Sequence, residues 1–192
     1  MAKVESSFKN MTLTLLIITL VASTGLGLVY QSTKDPIAKA QMAKINNAIK
    51  VVVPEFNNQP LDESYKVEAD GGELVFYPAK KDGQLVGTAV KTFTKNGFAG
   101  LIELMVGFQP DGSIYKIAVV SHKETPGLGD KIDPKKSNFE VQFEGKNPET
   151  FKLIVKKDGG DVDAITASTI SSRAYCDAVQ RAYKALKEGG AK

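Results

Sequence analysis

One cysteine and one histidine are all that this chain of 192 residues holds of the residue types that most often grip metals. Cys176 has no second thiol to pair with, so an internal disulfide and a cysteine-ligated metal or iron–sulfur cluster are excluded. His122 by itself excludes a histidine-rich metal site. No G-x-G-x-x-G fingerprint occurs, so a bound nicotinamide dinucleotide is not expected. Low-complexity tracts and internal repeats are missing as well. Charge of one sign is also scarce: 25 basic against 22 acidic residues leave +3. Lysines alternate with Asp and Glu along most of the chain, a solvated surface rather than one for nucleic acid. The 42% of hydrophobic residues is ordinary for a chain that buries a core. Whatever chemistry the chain does, it must borrow a cofactor or do none.

Charge is wholly absent from Met11 to Tyr30, twenty residues reading MTLTLLIITLVASTGLGLVY. A helix of that length spans ~30 Å, the thickness of a hydrocarbon core. The small residues Ala22, Ser23, Gly25 and Gly27 resemble a signal-peptide cleavage region. The run is longer than the ~7–15 residues of a signal core, so an uncleaved membrane anchor is the expectation. Lys3 and Lys9 precede it, while Lys34, Lys39, Lys44 and Lys50 follow. Counting positive charges near the helix ends therefore leaves the orientation open.

Asp35-Pro36 has the form of a helix start, with Asp as cap and Pro in the first turn. Ile37, Ala40, Ile45, Ala48, Ile49 and Val52 then recur at helical spacing up to Pro54. A separate membrane-proximal helix within 31–54 is predicted, followed by a polar loop over 55–72. Strands are predicted over 74–77, 85–93, 101–108 and 114–120, with one more over 151–155. Asp82-Gly83 and Asp111-Gly112 are hairpin signals between them. Short links imply antiparallel pairing. A last helix is expected from about Ser172 to Lys187, with Ala174, Ala178, Ala182 and Leu186 on one stripe and Gly189-Gly190 as its stop. The expected class is α+β: one N-terminal transmembrane helix, then an antiparallel sheet with packed helices. The expected divisions are a tail 1–10, a span 11–30, a helix 31–54 and a domain 55–192.

Two segments carry candidate chemistry. Ser121 through Asp130 follows a strand and contains Pro126-Gly127-Leu128-Gly129, where glycines let a flat ligand approach the backbone. Read alone, it is as consistent with a connecting loop. Asp163 through Ser172 places five hydroxyls within residues 166–172, directly before a helix. Free amides and the helix dipole favour a phosphate there, although Ser171 or Ser172 would also serve as a plain N-cap.

In this order, these segments resemble the FMN-binding domain shared by the G subunit of the Rnf electron-transport complex and the C subunit of the sodium-pumping NADH:quinone oxidoreductase. The resemblance rests on the N-terminal span, Asn96 through Gly107, the stretch His122–Gly129 (HKETPGLG), the hydroxyl-rich stretch, and Arg173 through Val179. The short length is closer to the Rnf G subunit. In that family a flavinyltransferase joins FMN by its phosphate to a threonine in the pattern Asp-x-x-Ser/Thr-Gly-Ala-Ser/Thr. Asp163, Thr166 and Thr169 fall on the pattern, which makes Thr169 the implied attachment residue. Thr166, Ser168 and Ser171 are the competing hydroxyls. The departure is Ala167-Ser168 in place of Gly-Ala, and Ala restricts a backbone that Gly leaves free.

The resemblance further implies that His122, Glu124, Thr125, Gly127, Leu128, Gly129, Thr166, Ser168, Ile170 and Ser171 surround the flavin. Lys123 and Lys131 are candidates to favour a reduced, anionic flavin, and equally plain surface charges. Cys176 is expected in the core. The implied role is an electron-carrying component of a complex that couples ferredoxin/NAD-type electron transfer to Na⁺ or H⁺ translocation. Implied partners are the other membrane and peripheral subunits of the Rnf complex, the flavinyltransferase and membrane lipid, with no nucleic acid. The implied location is a single pass through the cell membrane with the flavin domain on the extracytoplasmic side. Alternatives are a counterpart of the C subunit in a Na⁺ pump, an anchored free-standing flavoprotein reductase, and a flavin-free assembly protein.

Overall fold

The computed structural model describes residues 7–69 and 71–189. Most of the expected tail 1–10, with Lys3, and the expected stop at Gly190 lie outside them. The chain divides into two compact units, 1–43 and 44–192.

Helix α1 runs Phe8–Val52 without interruption, so Asp35-Pro36 does not start a second helix. Pro36 sits inside it and deprives the backbone of one N–H donor. Good helix formers directly after it, Ala38, Lys39, Ala40 and Gln41, carry the helix on. One apolar window of this helix has mean hydropathy 2.1 and none of it is buried, so it is long and apolar enough to cross a membrane.

The second unit is built on a five-stranded antiparallel meander in sequence order: β1 (Tyr65–Ala69), β2 (Gly72–Lys81), β3 (Gln84–Gly97), β4 (Gly100–Phe108) and β5 (Ile114–Ser121). The Asp82-Gly83 turn joins β2 to β3, with Asp82 at φ 52° and Gly83 at φ 82°. Alternation along β4 assigns the two faces. Ile102, Leu104, Val106 and Phe108 enter the larger core, whereas Met105 enters a smaller core on the other side. The larger core packs against helix α2 (Thr169–Gly189) through Ala174, Tyr175, Ala178, Val179 and Ala182. The smaller one is closed by Ile49, Val52 and Val53 at the end of α1. Gly107 permits that approach: a Cβ there would overlap the Val52 carbonyl.

Three further sequence expectations need correction. The supposed loop 55–72 contains β1, an edge strand whose Tyr65, Val67 and Ala69 face the core while Lys66 and Glu68 face water. Residues 151–155 form no strand; the backbone makes only an isolated bridge, Val155 to Val162. Helix α2 begins at Thr169, three residues before the expected Ser172.

Candidate functional site

The turn before α2 is tied by its own hydroxyls. Ser168 N–H donates to the Ile165 carbonyl at 3.0 Å, and Ser172 N–H donates to the Ser168 carbonyl at 3.1 Å. The Ser172 hydroxyl reinforces both ends, donating to the Ser168 carbonyl at 3.0 Å and accepting Ile165 N–H at 2.9 Å. Ser172 therefore staples the turn from within the helix, and Thr169 becomes the first helical residue. Ala167 takes φ 61°, the left-handed region that favours glycine. Alanine thus keeps the backbone conformation that glycine would adopt freely, at a cost of roughly 1–2 kcal/mol.

The segment after β5 is built around Glu124, which is 4% exposed. Its Oε1 accepts the Ala99 N–H from the β3–β4 turn at 2.9 Å. Its Oε2 accepts the Ser171 hydroxyl, and Ser168 Oγ donates in turn to Ser171 Oγ at 2.9 Å. Glu124 N–H donates to His122 Nδ1 at 3.2 Å. Gly127, at φ 78°, makes the turn that lets Leu128 N–H reach the Thr125 carbonyl at 3.2 Å. Cβ atoms on Gly97 or Gly129 would run into the Glu124 carboxylate.

Between these segments lies a cavity of about 330 Å³. Residues 167–171 form one wall, and Glu124, Thr125, Leu128 and Gly129 form a second. Phe98, at the tip of the β3–β4 turn and 70% exposed, forms a third. Hydroxyls gather at the helix end; Phe98, Leu128 and Ile170 make the rest apolar.

All of these walls lie inside the stretch 97–184 that matches the FMN-binding domain family. The G subunit of an ion-translocating oxidoreductase complex from Erwinia tasmaniensis is 38% identical over 169 residues, covering 83% of this chain and 80% of the relative. The corresponding G subunit of Aliivibrio fischeri is 34% identical over 198 residues, covering 95% and 93%. That of Shewanella amazonensis is 34% identical over 172 residues, covering 84% and 80%. The chain belongs to the G-subunit family of ion-translocating oxidoreductase complexes.

Of the residues singled out in the sequence of this G-subunit family member, the cavity gathers Glu124, Thr125, Leu128, Gly129, Ser168, Thr169, Ile170 and Ser171. His122, Gly127 and Thr166 stand outside its lining: His122 caps the Glu124 amide, Gly127 supplies a turn, and Thr166 is exposed. Asp163 is also absent from the lining. Its carboxylate pairs with Lys156 at 2.7 Å and its amide donates to Gln142 Oε1 at 2.7 Å, so it holds the preceding loop in place. Lys123 and Lys131 do not line the cavity. Arg173, the fifth residue of α2, is engaged by Asp158 through bonds of 2.6 and 2.8 Å, which hold the Asp158 carboxyl below its ordinary range. Cys176 is buried, and that burial pushes its thiol up to about 12. Sequence reasoning missed Phe98 as a wall; an aromatic at a glycine-flanked turn tip was the available signal.

Proposed function

We propose that this chain is a flavoprotein that holds FMN at the start of α2, joined through its phosphate to Thr169, and passes electrons within a membrane-bound ion-translocating complex. The observation that carries the reading is the double position of Thr169, at once the first residue of α2 and part of the cavity wall. Amides in the first turn of a helix lack intrahelical acceptors, and the dipole there favours an anion. Phe98, Leu128 and Ile170 suit an apolar ring, and the volume lies at the lower end of the ~300–1,000 Å³ of small-molecule pockets. The residues present therefore fit a phosphate-bearing aromatic cofactor.

Bound FMN supplies the electron chemistry; the chain supplies position, polarity and exclusion of water. The first turn of α2 would hold the phosphate end, and Phe98, Leu128 and Ile170 would give the ring apolar surface to pack on. With the family, we place residues 11–30 across the membrane as the single span, 1–10 on the cytoplasmic side and the domain 55–192 outside. A flavinyltransferase makes the linkage, the remaining subunits supply and remove electrons, and Na⁺ or H⁺ is the ion moved. Because outside the membrane a dissociable cofactor would diffuse away, a covalent tether is suited to this location. The test is peptide mass spectrometry of protein from its native membrane, wild type against Thr169→Ala. An FMN adduct on the Thr169 peptide, absent from the variant, is expected. An unmodified wild-type peptide in an active complex overturns the flavin-carrier reading and leaves an assembly role.

A further inference from the structure

We propose that Glu124 determines which hydroxyl is modified, by latching the competing serines beside Thr169 into a chain that ends on its carboxylate; this rests on the reading of Thr169 as the attachment residue. Four side chains in a row, 168 to 171, belong to the same helix start, and three of them carry a hydroxyl. The chain runs from Ser168 Oγ to Ser171 Oγ at 2.9 Å and from Ser171 Oγ to Glu124 Oε2. Both serines donate their protons inward, and both are buried, at 7% and 1% exposure. Among the described hydrogen bonds the Thr169 hydroxyl takes no part in that chain, and Thr169 is only half-buried. Nucleophilic attack on a phosphorus centre needs an accessible oxygen whose proton can be given up. At 7% and 1% exposure, Ser168 and Ser171 fail the first condition while the latch is closed.

A carboxylate is suited to this task because, ionised, it accepts at both oxygens and donates nothing. Oε1 takes the Ala99 N–H of the β3–β4 turn while Oε2 takes Ser171, so one side chain fixes three segments. The space for it is built into the fold: Gly97 on one side and Gly129 on the other are positions where a Cβ would strike its oxygens. A charge-assisted bond is about twice as strong as a neutral one, which keeps the serines committed. Glu124 acts through Ser171 and does not itself touch the reacting oxygen, so it is a positioning residue.

The experiment maps the site of the adduct in the full-length chain produced in its native membrane, alongside thermal unfolding of each variant. Wild type is expected to carry the adduct on Thr169 alone. Glu124→Gln keeps the Ala99 bond at its oxygen but offers Ser171 a donor in place of an acceptor, so it is expected to lower Thr169 occupancy or move adduct onto Ser168 or Ser171, to a smaller extent than Glu124→Ala. Glu124→Ala is expected to lower Thr169 occupancy at least tenfold or to move adduct onto Ser168 or Ser171. Ser171→Ala deletes one hydroxyl without emptying the carboxylate's place, so it serves if Glu124→Ala does not fold; it frees Ser168, and adduct is expected to appear there. A modified wild type with either alanine variant modified at Thr169 alone, and to the wild-type extent, overturns the latch but not the flavin reading. An unmodified wild type overturns both.

Discussion

Replacing Ala167 with glycine is expected to stabilise the domain, which is the reverse of the usual effect. The residue is exposed and belongs to neither hydrophobic core, so backbone conformation decides the outcome. At φ 61° an alanine carries a strain of roughly 1–2 kcal/mol that glycine does not. Against this, glycine gives the unfolded chain extra freedom worth about 0.4–1 kcal/mol. The difference favours glycine by roughly 0–1.6 kcal/mol, with a midpoint of about 0.8. In a domain of this size that raises Tm by about 2–3 °C. Ala167→Asn, which tolerates the left-handed region, is expected to be near neutral, and Ala167→Val to lose stability because β-branching opposes positive φ. Chemical denaturation of full-length protein with matched cofactor content, followed by the tyrosine near-ultraviolet signal, gives the order Gly, Asn, Ala, Val. A glycine variant less stable by ~0.5–1 kcal/mol, the ordinary penalty, would refute the left-handed assignment. It would also remove the reason for treating Ala167-Ser168 as equivalent to the family's Gly-Ala.

Gly107→Ala places a methyl group on the Val52 carbonyl, a backbone atom that cannot swing aside. A loss of about 3 kcal/mol or more is expected in urea unfolding, and a loss under about 1 would mean that the end of α1 does not pack on the sheet. Tyr175 is fully buried and its hydroxyl has no partner among the described residues, so Tyr175→Phe is expected to gain about 1 kcal/mol while keeping the ring contacts with Phe139 and Phe143. A destabilised phenylalanine variant would reveal a bond to that hydroxyl. The Cys176 thiol, raised to about 12, stays protonated when folded, so alkylation at pH ~8.5 is expected to be slow until denaturant is added. Its raised value contributes stability that is whole below the unfolded thiol's pKa of ~8.5 and lost as pH rises toward about 12, with a slope approaching ~1.4 kcal/mol per pH unit. Cys176→Ala should flatten that slope, and an unchanged slope would assign it to other groups.

Where the sequence was legible, one physical signal dominated. The sheet follows from apolar alternation and from Asp-Gly turns, whose left-handed backbone fits a tight hairpin. Where two signals competed, reading by pattern went astray. In β1 the three inward residues alternate with Lys66 and Glu68, and an edge strand with one neighbour needs no stronger signature. At 151–155 the apolar residues resemble a strand, but Asp161 takes the Lys152 amide at 2.7 Å and Ile154 N–H turns back on the Lys152 carbonyl at 2.7 Å. Gly160, where a Cβ would strike Ile154, closes that turn. The Asp35-Pro36 pair carries a helix-start signal, yet the helix continues through it, with the strong formers Ala38 to Gln41 following the one missing donor.

The site was legible in a different sense. Its residue types and order pointed to a phosphate at a helix start, but spacing alone could not distinguish wall from scaffold. His122, Gly127 and Asp163 belong to the same motifs as Glu124, Leu128 and Thr169, yet each commits its polar group or turn geometry to its neighbours. The distinction depends on which groups remain uncommitted. Ser172 staples the turn, Ser168 and Ser171 are drawn onto Glu124, and Arg173 is taken by Asp158. Each hydrogen bond so used removes one candidate from the helix start, until Thr169 remains beside the cavity with its hydroxyl outside that network among the described bonds. On the proposed reading of Thr169, selectivity at this helix start depends less on the residue that reacts than on the neighbours that are kept from reacting.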